Sequence, residues 1–160
     1  MTDKHTVEQR SYNMSRIRSK GTQPERRLLD LLHKLFPASE IVEHPKDLPG
    51  TPDAWLPGLG LAVFADGCFF HGCPKHGHIP HANQDYWHAK IKRNKKRAKA
   101  VNEALLQLGI QPVRVWEHQL GKDLRTAKRK LRLAARKTKS DFQNALDGAM
   151  MVADERVEYE

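Results

Sequence analysis

Apolar positions along this chain recur first with a helical period and then with a strand period, and the alternation repeats. After Thr22, the residues Leu28, Leu29, Leu31, Leu32, Leu35 and Phe36 follow a helical period. Thr22 followed by Glu25 has the spacing of a capping box, and Pro24 suits a first helical turn. A helix from about Gln23 to Phe36 is therefore predicted. Ile41 to Glu43, Ala54 to Leu56 and Leu61 to Ala65 are short apolar runs punctuated by LPGTP and PGLG. They read as strands, the last two as a hairpin. Trp87, Ile91, Ala98, Val101, Leu105 and Leu108 form the seam of a long amphipathic helix, with Gly109 placed to end it. Val113 to Glu117 restores a strand, and Leu124, Ala127, Leu131 and Ala134 mark a last helix. The order predicts an α/β or α+β fold in which helices flank a mixed sheet. Beyond Lys139 the periodicity fades, so residues 141–160 are expected to form a mobile tail outside a single domain at 1–140.

Charge sharpens the picture. The chain carries 28 Lys+Arg against 19 Asp+Glu, a formal net charge of +9. Six of the acids fall after Ser140 with only Arg156 opposing them, which leaves 27 bases and 13 acids before that point. Such a field suits a polyanion. From Trp87 to Asn102 there is no acid, while Lys90, Lys92, Arg93, Lys95, Lys96, Arg97 and Lys99 all fall inside. That stretch reads as a helix facing phosphate. No apolar run approaches the roughly 20 residues needed to span a bilayer, and the first residues lack a secretory apolar stretch, so a cytoplasmic protein is expected.

The densest chemistry lies between Phe64 and His78, FADGCFFHGCPKHGH, which holds both cysteines and three of the nine histidines. Soft sulfur and imidazole donors suit zinc, whereas the carboxylate of Asp66 suits magnesium or manganese. Cys68, Cys73 and His76 supply three zinc ligands, and His118, beyond the last strand, is the candidate fourth, with His78 and His71 as competitors. His44, His81 and His88 read as surface residues. Asp53 enters one strand and Asp66 ends the next, and a hairpin could bring both carboxylates to one end of the sheet to hold a divalent metal. Taken singly, each reads as a turn residue ahead of a ligand, and Glu25 reads by default as a helix cap. His71 could bind zinc, fill space or accept a proton from water. Phe69 and Phe70 read as core anchors or, with Met14, as a wedge for a base stack.

Taken together, RSYNMSRI (10–17), GTQPERRLLDLL (21–32), LPGTPDAWL (48–56), VFADGCFFHGCPKHG, YWHAKIKRN (86–94) and VRVWEHQL (113–120) resemble, in the same order, the very short patch repair (Vsr) DNA mismatch endonucleases. The resemblance covers about Arg10 to Leu133. It implies a restriction-endonuclease-like fold, a structural zinc, and magnesium-dependent nicking of one strand of double-stranded DNA at a T:G mismatch, leaving a 5′ phosphate. By position, Asp53 falls on the family's metal-binding aspartate, Glu25 on its active-site glutamate, and His71 on the histidine proposed to activate water. Asp66 stands where some members have histidine and is expected to share the magnesium. Met14, Phe69 and Phe70 match wedge positions, the last often tryptophan. The family's zinc site uses a histidine two residues before the second cysteine and a cysteine where His118 stands, so His76 and His118 are expected to substitute here. Lys90, Lys92, Arg93, Asn94, Lys95, Lys96, Arg97 and segment 1–20 are expected to contact DNA, with the protein a monomer working beside DNA repair proteins. Alanine follows Arg97 where an acid is common. Two rival readings are a restriction-type or structure-specific nuclease of the same fold and a non-catalytic zinc-stabilised DNA-binding module.

Overall fold

A computed structural model describes Thr6, Glu8, Gln9, Tyr12 and residues 21–81 and 83–157. Helix α1 (Gln23–Leu35) starts where the capping signal predicts: the Thr22 hydroxyl accepts the Glu25 amide at 3.4 Å. Strands β1 (Val42–Glu43), β2 (Ala54–Leu56) and β3 (Leu61–Asp66) follow, then the long helix α2 (Gln84–Gln107), strand β4 (Gln111–Trp116) and helix α3 (Leu124–Val157). The four strands form one sheet in the order β1-β2-β3-β4. β1, β2 and β3 pair antiparallel, and β3 pairs parallel with β4 from Leu61 opposite Gln111 to Asp66 opposite Trp116. The sheet is thus mixed, and the 54–66 hairpin forms.

Strand alternation sorts the core onto two faces. Ala54, Leu56, Leu61, Val63, Val113 and Val115 pack against Leu28, Leu31 and Leu32 of α1 and Ala127, Leu131 and Ala135 of α3. Ala62 and Phe64 point the other way, to Leu105 and Val101 of α2. Leu28, Leu32 and Leu131 are wholly buried, so truncating any of them to alanine should cost about 2–5 kcal/mol. Pro112 sits in the ladder because β4 is an edge strand, where a missing N–H is tolerated.

One expectation shifts. Leu108 is not part of the α2 seam: it caps the helix and is exposed. Helix α3 has helical backbone to Val157, past Lys139, where the apolar pattern of the sequence fades.

The loop between β1 and β2 is held tightly over α2. Gly50 has φ +74°, and a Cβ there would lie 2.5 Å from Cγ1 of Val101, so only glycine fits. His44 and Thr51, near the two ends of this loop, both have φ +46°, a conformation rare outside glycine. The loop thereby delivers Pro52-Asp53 to the head of β2, beside the far end of β3.

Candidate active site and metal centre

Asp53 is the pivot. Its Oδ2 accepts the backbone N–H of Ala65 at 2.6 Å, which ties the head of β2 to the end of β3. Burial is the largest influence on the carboxyl and pushes its pKa from 3.8 up to about 6; the Ala65 hydrogen bond opposes this, while the charges of Glu25 and Asp66 add to it. Glu25, buried at the start of α1, reaches the same place: its Oε2 accepts the Gly21 amide at 2.7 Å and its Oε1 the Thr22 hydroxyl at 2.8 Å. The capping role expected of Glu25 and its place beside Asp53 are therefore compatible.

The third member was not expected. His44 lies with Nε2 3.7 Å from Glu25 Oε2 and Nδ1 4.0 Å from Asp53 Oδ1, and the ligand atoms of Glu25, His44 and Asp53 all fall within 4.8 Å of one another. Read from sequence as a surface residue, it is half-buried here. The available signal was its position one residue past β1, opposite Asp53 in the hairpin ladder, where the His44 N–H donates to the Asp53 carbonyl at 3.3 Å.

Asp66 goes elsewhere. Arg114 Nη1 donates to its Oδ1 at 2.8 Å, and Nδ1 of His71 lies 3.7 Å from the same oxygen. Asp66 is not a member of the Glu25, His44, Asp53 group. Arg114 is itself fixed, donating from Nε to Asn102 Oδ1 at 3.0 Å and lying 4.2 Å from the centre of the Phe64 ring, while Lys130 Nζ caps its carbonyl. Burial lowers the pKa of His71, with Asp66 pulling it back up, and Arg114 and Arg97 pushing it further down. A neutral imidazole is the form that accepts a proton. Arg114 also escaped the sequence reading, although the alternation in VRVW puts it on the same face of the sheet as Phe64, its neighbour in the parallel register.

The cage lies just beyond. Cys68, Cys73, His76 and His118 bring their ligand atoms within 4.8 Å of one another; His71 and His78 are outside that group. Nδ1 of His118 is 3.2 Å from Cys68 Sγ and 3.7 Å from Cys73 Sγ. Tetrahedral zinc, with sulfur and nitrogen at their usual bond lengths, separates such atoms by about 3.6 Å, so the donor set fits the ion in chemistry and span. Burial lowers the pKa of His118, favouring the neutral, ligating form, and raises that of the Cys68 thiol. Glu117 accepts the Cys68 amide at 3.2 Å and so braces the loop on the turn after β4.

The loop between Cys68 and Cys73 carries two aromatic rings. Phe69 packs edge-to-face on Phe70 at 5.1 Å and on Trp87 at 4.8 Å, and both phenylalanines are partly exposed. Asn94, expected at the DNA, donates to the Phe70 carbonyl at 2.9 Å. Lys92, Arg93, Lys95, Lys96 and Arg97 are exposed on α2, and Lys90 lies 5.7 Å from the Trp87 ring centre. Met14 lies outside the described residues. No helix among the described residues is long and apolar enough to cross a membrane.

Carboxylates at a strand end with a histidine beside them, and a Cys/His group that could hold a metal, lie on one mixed α/β sheet. Comparison with known proteins specifies the class. A sequence profile described as DNA mismatch endonuclease Vsr matches residues 2–76. The chain is similar to Type II nicking enzyme V.XorIIP of Xanthomonas oryzae pv. oryzae, 40% identical over 134 residues that cover 82% of this chain and 96% of that protein. Type II nicking enzyme V.NaeI of Lentzea aerocolonigenes is 39% identical over 69% of this chain and 68% of its own. DNA mismatch endonuclease Vsr of Escherichia coli is 32% identical over 73% and 74%. The chain belongs to the Vsr family of DNA endonucleases.

Proposed function

We propose that this protein nicks one strand of double-stranded DNA at a T:G mismatch by magnesium-dependent hydrolysis, leaving a 5′ phosphate, on a restriction-endonuclease-like fold. The observation that carries the reading is the hydrogen bond from Ala65 to Asp53, which holds the Asp53 carboxylate, with Glu25 and His44 beside it, at the end of the strand that bears Asp66. A non-catalytic DNA-binding module would not need the Asp53 carboxylate, whose pKa burial raises to about 6.

Asp53 and Glu25 would hold the cation; their hard oxygens suit magnesium. When bound, that ion supplies positive charge at the scissile phosphate and its leaving oxygen. Asp66, engaged by Arg114, orients His71 in place of binding the cation. His71 takes a proton from water, the water oxygen bonds to phosphorus, and the bond to the 3′ oxygen breaks, that oxygen taking a proton from solvent water to give a 3′ hydroxyl beside the 5′ phosphate. Zinc held by Cys68, Cys73, His76 and His118 would fix the loop that carries His71, Phe69 and Phe70. The basic face of α2 binds phosphates without reading sequence. Phe69 and Phe70, with Met14, enter the stack beside the mismatch, where unstacking costs less than in paired duplex. The protein is read as a cytoplasmic monomer that shares this duplex with DNA repair proteins.

A comparison of nicking on T:G and fully paired duplexes of the same sequence, in magnesium, tests the reading. The T:G substrate should be cut at least 10-fold faster. A preference for the paired duplex would instead identify a restriction-type enzyme.

A further inference from the structure

The His44 imidazole stands between two carboxylates and makes a short hydrogen bond to neither. Its nitrogens are 3.7 Å from Glu25 Oε2 and 4.0 Å from Asp53 Oδ1, beyond hydrogen-bond length. Donors about 2.1 Å from a divalent cation are spaced about 3.0 Å when adjacent in an octahedron and about 4.2 Å when opposite. The 3.7 Å and 4.0 Å separations fall between these two spans, and one ligand atom from each of the three side chains lies within 4.8 Å of the others, close to the size of a coordination shell. The backbone holds His44 in place: its N–H is bonded to the Asp53 carbonyl, and it keeps φ +46° immediately before Pro45. A histidine needed only for solvation would gain nothing from that conformation.

We propose that His44 is a direct ligand of the divalent cation held by Asp53, so that the site has one nitrogen among its oxygens and takes manganese in preference to magnesium. The inference rests on the reading of Asp53 as the cation-binding carboxylate of the nuclease. Magnesium demands oxygen donors and gives up water reluctantly, whereas manganese and the later divalent ions accept imidazole. A site made of Asp53 and Glu25 alone would have a weaker bias and no nitrogen at the ion.

The test is manganese binding to the zinc-loaded protein, followed by pulsed EPR of the bound ion. Wild type should bind manganese at least 10-fold tighter than magnesium and show nitrogen coupling from an imidazole. The coupling pattern should change when the protein is grown with ¹⁵N-histidine, a readout that alters no side chain. His44→Gln, which keeps a polar side chain but no ring nitrogen, should remove the coupling and most of the preference for manganese; His44→Ala serves as a second variant. Absence of nitrogen coupling in wild type, or its survival in both variants, overturns the proposal. Nicking of the T:G duplex, measured on the same wild-type sample, keeps the two readings apart. Nicking without nitrogen coupling removes His44 from the shell and leaves the nuclease intact. Coupling without nicking keeps the metal site and removes the nuclease.

Discussion

The Asp53 carboxylate accepts the Ala65 amide at 2.6 Å, so the head of β2 and the end of β3 are joined by a side chain as well as by the ladder. The bond stabilises a carboxylate that burial otherwise disfavours, and Asp53 still ends with a pKa of about 6. Its folded value lies above its ordinary 3.8, so the folded protein keeps this proton longer than the unfolded chain does. The stabilising contribution is complete below about pH 4 and is lost as pH rises through about 6, on the order of 2–3 kcal/mol. In metal-free protein, Asp53→Asn should therefore be more stable than wild type at pH 7 and lose that advantage at pH 4. Urea unfolding at the two pH values checks it; parallel curves would refute it. Because the cation and the proton compete for Asp53, nicking by wild type should fall at acid pH, with a midpoint that moves lower as magnesium is raised.

The buried pair Arg114 and Asp66 gives a second prediction. Removing Arg114 leaves a carboxylate that is only 5% exposed without its 2.8 Å partner, so Arg114→Leu should cost about 3–5 kcal/mol. Adding Asp66→Asn to that variant should recover part of the loss. A double-mutant cycle by chemical denaturation measures the coupling, and strictly additive costs would show that the pair contributes nothing as a pair.

Much of this architecture could be read from the sequence because it depends on local signals. The Thr22 cap, the Leu28 to Leu35 stripe and the two punctuated strands each carry their own periodicity, and the structure shows all of them. Cys68, Cys73 and His76 were legible as a group because thiols and an imidazole so close in sequence have few other uses, while His118, 45 residues past Cys73, joins them from the turn after β4. His44 and Arg114 were not legible. Each acquires its partner through strand register, His44 from Asp53 across the hairpin and Arg114 from Asp66 across a parallel pair, and register is a tertiary property that spacing along the chain does not reveal. Asp66 illustrates the converse: its place at a strand end fitted a metal ligand, but an arginine 48 residues away engages it.

The cage predicts a defined metal content. Purified protein should carry about one zinc per chain, and Cys73→Ser or His118→Ala should lose it together with about 3 kcal/mol or more of stability. His78→Ala should keep both, since His78 lies outside the group. Zinc retained by His118→Ala but lost by His78→Ala would reassign the fourth ligand.

The ring pair separates packing from wedging. Phe69 is packed on both Phe70 and Trp87, whereas among these three rings Phe70 contacts Phe69 alone, which makes Phe70 the cleaner probe. Phe70→Ala should leave thermal stability within about 1 kcal/mol of wild type while lowering T:G over paired-duplex discrimination about 5-fold to 100-fold, the worth of one stacked base. Phe70→Trp, with more stacking area, should raise it. Unchanged discrimination with a large loss of stability would mark Phe70 as core.

Single-turnover nicking of an end-labelled T:G duplex in magnesium, by wild type and by Asp53→Asn, tests the central claim most directly. Asparagine can still accept the Ala65 amide but offers the cation no charge, so the variant should fold and bind DNA while cutting roughly 1,000-fold more slowly, and chelation should bring wild type down to the same level. Equal rates for the two proteins, or wild-type cutting that survives the chelator, would contradict it.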